Sequence, residues 1–418
     1  MGKTISEKIL ARACGVQALK PGDIVWAKVD LALMHDSSGP RRIAPTLEKL
    51  GAPVWNPDKV VIVADHFTPP CDVTEAEIQR VTRDWAQRNH VRRYHEGEGI
   101  CHIVVIEKGY VAPGMLLVGA DSHTGTAGAL GAFAVAIGST EMAGVLVTGE
   151  VWLRVPKSIK VVWEGTLPPA AMAKDMFLKL AGDLGVDGAA YQAVEYSGST
   201  VAGLPLDERL VLTNMAIEVG AKTGIMAPDQ QIAAYLKDRG IPVYEPVLSD
   251  EDAGYSRIIS YRSSDLEPLV ACPHSPDNVR KVSEAGPVPV QQAYLGGCTG
   301  GKYFDLVSAA RILKNRVASP ATRLLVAPAS RDIMKRCLAE GVISTLVDAG
   351  ATILPPSCGA CAGLDMGILA QGERCISSTN RNFKGRMGHA DSEVYLASPM
   401  TVAASAVKGV ITDPREFV

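Results

Sequence analysis

The stretch PPSCGACAG, residues 355–363, sets Cys358 and Cys361 three apart, directly after a run, ATILPP, that reads as a strand. Such a pair can exchange disulfides, close a zinc site or hold part of an iron–sulfur cluster, and each reading needs different company. A third thiol, Cys298, ends AYLGGC sixty residues earlier. A redox pair leaves Cys298 without a role. A structural zinc bound by three cysteines and a histidine accounts for the thiols but not for the other reactive side chains described below. Cys298 as a small buried apolar residue is the plain structural alternative. Three thiolates on a cubane cluster would leave one iron open, and an open iron is a Lewis acid able to polarise a hydroxyl group. Spacing alone leaves these readings open.

The other reactive residues also fall at the ends of apolar runs. Asp65 and His66 close KVVIVADH, while Asp121, Ser122 and His123 close MLLVGADSH. Most runs of this kind (59–65, 115–121, 191–196, 293–297, 324–329 and 351–356) are followed by helix-like stretches, the pattern of parallel sheets covered by helices. In open α/β sheets ligands sit beyond the carboxyl ends of the strands, so several polar tips at such ends make a site. The stretch DSHTGTAGALGAFAVAIG (121–138) reads as a polar tip followed by a Gly/Ala-rich helix, whose free N–H groups could receive an anion. Neither a G-x-G-x-x-G dinucleotide fingerprint nor a G-x-S-x-G nucleophile elbow occurs.

Those strands must be carried by a chain of 418 residues with 40 glycines and few aromatics, a composition of closely packed α/β layers. Turn-rich joints at 163–172 and 283–292 divide it into units 1–162, 163–287 and 288–418; an interleaving of the first and third would give the same signals. A net charge of −3 with no basic run argues against nucleic acid as a main partner. No apolar run is long enough to span a membrane, and the amino terminus lacks a signal-like apolar core. Nine cysteines, an odd number, point to free thiols or ligands in a reducing compartment, and the cytoplasm is the expectation.

Five ordered blocks together resemble the large subunits of the aconitase family, in the isopropylmalate dehydratase and homoaconitase branch: VGADSHTGTAGALGAFAVAIGSTEMA (118–143), LGVDGAAYQAVEYSG (184–198), YLGGCTGGK (294–302), SCGACAG (357–363) and SSTNRNFKGRMG (377–388). The resemblance runs over nearly the whole chain. It implies an α/β fold of three α/β/α domains with mostly parallel sheets around a cluster-binding cleft, and a hydro-lyase acting on a hydroxy di- or tricarboxylic acid. It assigns Cys298, Cys358 and Cys361 as ligands of one [4Fe–4S] cluster with one iron not ligated by protein. It gives His66, paired with Asp65, the protonation of the leaving hydroxyl, a task suited to a group that titrates near neutrality. His102, Asp121, Ser122 and His123 correspond to positions around the bound water and carboxylates, and Glu195 to a carboxylate near the metal-bound oxygen. Arg381 and Arg386 match a carboxylate clamp, Asn380 a donor to the cluster, and His35 a substrate-pocket position.

Two departures bear on the substrate. The family's Ser-Cys-Thr-Asn-Gly-Arg is here Gly297-Cys298-Thr299-Gly300-Gly301-Lys302, and its DSHTCTYG is DSHTGTAG. Both remove polar or bulky groups, which keeps hydratases of small dicarboxylates such as maleate, citraconate or dimethylmaleate as an alternative. The family's swivelling domain, whose serine removes the carbon-bound proton, has no counterpart among these residues. In this branch it is expected on a separate small subunit.

Overall fold

The computed structural model describes residues 2–242, 244–364 and 366–418. Short apolar runs form its strands, and among the described residues three larger sheets result beside a two-stranded antiparallel pair, Ile24–Lys28 with Glu150–Arg154. The first is all parallel, in the spatial order Arg93–Glu96, Val60–Ala64, Leu31–His35, Leu116–Gly119, Phe133–Ala136. Val60–Ala64 is buried at every residue, as expected of a central parallel strand covered on both faces. The second sheet is also parallel, in the order Thr223–Met226, Ala193–Ser197, Ser158–Glu164, Arg257–Arg262. In the third, Glu393–Ala397, Arg374–Ser377, Gln292–Leu295, Arg323–Val326 and Thr352–Ile353 run parallel. Leu269–Ala271 and Val279–Lys281 add an antiparallel edge.

Sheet membership changes before each of the two turn-rich joints. Ser158–Glu164 already belongs to the second sheet, and Leu269–Ala271 with Val279–Lys281 to the third. Apolar side chains from the first and third sheets share one core, in which Leu33, Val63 and Val104 join Leu295, Leu306 and Ile376. The carboxyl ends of these two sheets are thereby brought together.

The 121–138 stretch departs from the expected helix. It forms a 3-10 segment, Ser122–Leu130, and then the strand Phe133–Ala136. The tight segment lies against the second sheet so closely that a β-carbon on Gly128 would collide with the carbonyl oxygen of Gly224. Small residues therefore serve backbone contact between units here. The N–H groups at its start receive an anion from within the chain: the Asp121 carboxylate accepts from His123 N at 2.8 Å.

Among the described residues, no helix is long and apolar enough to cross a membrane.

Candidate active site

The carboxyl ends of the first-sheet strands deliver four polar tips to one place. His35 is the last residue of its strand, and Asp36 follows, fully buried, accepting from the backbone N–H groups of His66 at 3.1 Å and Phe67 at 3.0 Å. Asp65 then uses both carboxylate oxygens: one lies 2.7 Å from His66 Nδ1, the other accepts from Cys101 N at 2.7 Å. This fixes the imidazole so that Nε2 faces the cavity, 3.9 Å from Asp121. The His66 ring stacks on His35 with centroids 3.9 Å apart. Burial opposes the charged imidazole, but Asp65, Asp36 and Asp121 outweigh it and raise the His66 pKa to about 9. The protonated form is thus the one at hand near neutral pH.

Asp121 is the hub of the second group. Its carboxylate lies 2.7 Å from His102 Nε2, and although burial works to raise its pKa, His102, His123 and His35 hold it well below the usual carboxylate range. His123 is oriented from its far side by Glu218, at 2.8 Å from Nε2. The same carboxylate accepts from Arg381 Nε at 2.8 and 3.0 Å. Ser122 makes only a long contact, 3.4 Å, with His123 Nδ1. Arg386 presents a buried Nε with no hydrogen-bond partner among the described residues, a donor that an anionic ligand would satisfy.

The thiols come from the third sheet. Cys298 lies just past the strand Gln292–Leu295; Cys358 immediately precedes the short 3-10 turn Gly359–Ala362, which contains Cys361, and Cys358 N donates to Asp65 O at 2.8 Å. Asn214 Nδ2 donates to Cys298 Sγ at 3.1 Å; Asn380 Nδ2 lies 3.4 Å from the same sulfur and donates to Asn214 Oδ1. A β-carbon on Gly300 would collide with the Ser378 side chain, so glycine lets the Cys298 loop lie against the strand that leads to Asn380. Burial pushes the Cys298 thiol up to about 12, while the hydrogen bond between Cys358 and Cys361, with burial, holds Cys358 well above its ordinary value, and the same bond holds Cys361 well below its own. Thiolates in such a place require a cationic centre, and soft sulfur donors select zinc, copper(I) or iron–sulfur centres. The donor set therefore fits an iron–sulfur group.

His35, Asp65, His66, His102, Asp121, Ser122, His123, the three cysteines, Arg381 and Arg386 all line one cavity of about 320 Å³. Asn380 stands behind its sulfur-lined end. Two wider clefts of about 570 Å³ open elsewhere without such a cluster.

Glu195 is the exception and needs correction. It occupies the middle of its strand rather than the carboxyl end, and its carboxylate accepts from Ser249 Oγ at 2.8 Å and Tyr255 OH at 2.8 Å, outside the cavity. The carboxylate at the site is Glu218. It was foreshadowed by LTNMAIEVG, where Asn214 and Glu218 lie one helical turn apart in an otherwise apolar stretch. Both are buried, and buried polar groups of that kind need partners. Asp36 had a similar signal, beside His35 at a strand end.

Comparison with known proteins agrees with this geometry. The family model described as "Aconitase family (aconitate hydratase)" matches residues 7–409. The 3-isopropylmalate dehydratase large subunit 1 of Methanopyrus kandleri is 49% identical, each chain covered in full. The 3-isopropylmalate dehydratase large subunit of Desulfatibacillum aliphaticivorans is 48% identical, again with both covered in full. The large subunit 1 from Pyrococcus furiosus is 46% identical over all of this chain and 99% of its own. The crystal structure of Thermococcus kodakaraensis aconitase X, in its holo form, superposes with a TM-score of 0.50 over 88% of this chain and 89% of its own; at 11% identity it speaks to the fold alone. On the family match and the full-length identities, this chain belongs to the aconitase family.

Proposed function

We propose that the chain is the cluster-bearing large subunit of a hydro-lyase of the 3-isopropylmalate dehydratase type, working with a separate small subunit. The observation that carries this reading is the meeting of three thiols, a carboxylate-braced histidine and two arginines in one cavity. Cys298, Cys358 and Cys361 would hold a [4Fe–4S] cluster with one iron free of protein ligands. When bound, that iron supplies Lewis acidity toward a hydroxyl and a carboxylate of the substrate.

The chain's own residues do the rest. His66, kept protonated by Asp65 and its neighbours, donates a proton from Nε2 to the departing hydroxyl. Asp121 orients His102 and receives the backbone N–H of His123, which fixes the polar wall of the cavity. Arg386 offers its unpartnered Nε to a substrate carboxylate; Arg381, anchored by Glu218, adds positive charge beside it. The base that takes the carbon-bound proton would be a serine of the small subunit. Support comes from the relatives, which are named large subunits.

Anaerobic reconstitution with a small subunit tests the reading, with 2- and 3-isopropylmalate and a panel of smaller hydroxy acids and their enoates as substrates. Interconversion of the isopropylmalates is expected. Turnover of citraconate or maleate alone would establish the small-dicarboxylate alternative, and turnover of none with an intact cluster would refute the assignment.

A further inference from the structure

One buried ionisable group is not used by the chemistry above. Lys174, near the start of the helix Ala173–Leu184, is 1% exposed. Its ammonium donates to the carbonyl oxygen of Thr379 at 2.6 Å and to Thr299 Oγ1 at 3.1 Å, and lies 3.3 Å from Met215 Sδ. Every one of these partners is neutral. Among the described residues no carboxylate oxygen comes within 4.0 Å of it, whereas the other buried lysine nearby, Lys302, is matched by Asp305 at 2.6 Å. Asp305 and Asp175 are the rival counter-charges, but Asp305 is bound to Lys302 at 2.6 Å, and Asp175 accepts from the backbone N–H groups of Leu269 and Met172.

Burial, with Lys302 nearby, lowers the Lys174 pKa to about 7, so a lysine that carries its charge here asks for an anion not yet counted. The two loops Lys174 holds are those of the sulfur-lined end: Thr299 follows Cys298, and Thr379 precedes Asn380. A doubly positive [4Fe–4S] core on three thiolates is a net monoanion, and a dianion after one-electron reduction. We propose that Lys174 is the counter-ion of the bound cluster, setting its reduction potential from behind the ligand loops. This inference rests on the cluster assignment made under Proposed function.

Its position predicts effects on the cluster's charge rather than on its ligands. Lys174→Met removes both the charge and the donors; Lys174→Gln removes the charge but keeps an N–H donor for Thr379 or Thr299. Both variants, reconstituted anaerobically, should bind the same iron per chain as the parent, and both should show a more negative midpoint for the one-electron couple in a dithionite titration followed by electron paramagnetic resonance. Lys222→Met, just before the second-sheet strand Thr223–Met226, serves as the control and should leave the midpoint unchanged. An unchanged midpoint in both variants, or a shift in Lys174→Met alone, would overturn the inference. A parent protein that takes up no iron–sulfur cluster would instead refute the assignment on which it rests.

Discussion

His66 shows how neighbours set the chemistry of a residue. Its folded pKa of about 9 lies above its ordinary value of 6.5, so the bound proton stabilises the fold fully below about 6.5, and that contribution fades as the pH rises through 9. In the cluster-free protein, nuclear magnetic resonance titration of His66 should give a midpoint near 9, falling by a unit or more in Asp65→Asn. A His66 midpoint at 6.5 in the parent would remove the argument for a standing proton donor. Arg386→Lys keeps the charge and loses the planar two-point contact. It should lower kcat/KM about 10- to 100-fold, equivalent to roughly 1.5–3 kcal/mol for a charged hydrogen bond, with iron content unchanged. Loss of iron in step with activity would show that Arg386 supports the ligand loop instead. Asp65, His66, Asp121, His123 and the cysteines stood out because their types are unusual at strand ends, whereas His35 and His102, the latter inside the helix Cys101–Glu107, came only through the family resemblance. Glu195 misled because a carboxylate in a familiar-looking block carries no sign of its direction. In the structure it faces Ser249 and Tyr255, and Glu218, a helical-turn neighbour of Asn214, holds His123 and Arg381.

At the scale of elements, alternation and run length located the strands that matter. Val60–Ala64, Leu116–Gly119, Gln292–Leu295 and Arg323–Val326 all fall within the apolar runs read from sequence or one residue beyond them. The 121–138 segment did not follow its composition. Gly and Ala are compatible with a helix by themselves, but Gly128 is needed for contact with Gly224, and that contact belongs to a sheet whose position local sequence does not encode. Gly128→Ala should therefore destabilise the protein by about 1–3 kcal/mol in urea unfolding, the usual cost of overpacking. A loss below about 0.5 kcal/mol would mean that the two units separate without strain. The edge strands Leu269–Ala271 and Val279–Lys281 were missed for a related reason: each is three residues long, too short for periodicity to speak.

Across the whole molecule, the cavity is an arrangement of two sheets' carboxyl ends, joined by a core that both share. Sequence conveyed that these ends would converge only through the order of five blocks, since no single block encodes where the others lie. The proposed division of labour predicts that the isolated chain binds cluster yet turns over substrate only with its small subunit. Full activity from the isolated chain, abolished by Ser122→Ala, would place the base within this cavity. The most direct test of the central claim, that Cys298, Cys358 and Cys361 together hold one open-iron cluster, is iron and sulfide analysis with Mössbauer spectroscopy of anaerobically prepared protein, parent against Cys298→Ala. The account predicts about four irons and four sulfides per chain in the parent, one iron in a distinct site that is lost first on exposure to air, and no intact cluster in the variant. One zinc per chain without iron in the parent, or a full cluster retained by Cys298→Ala, would contradict it.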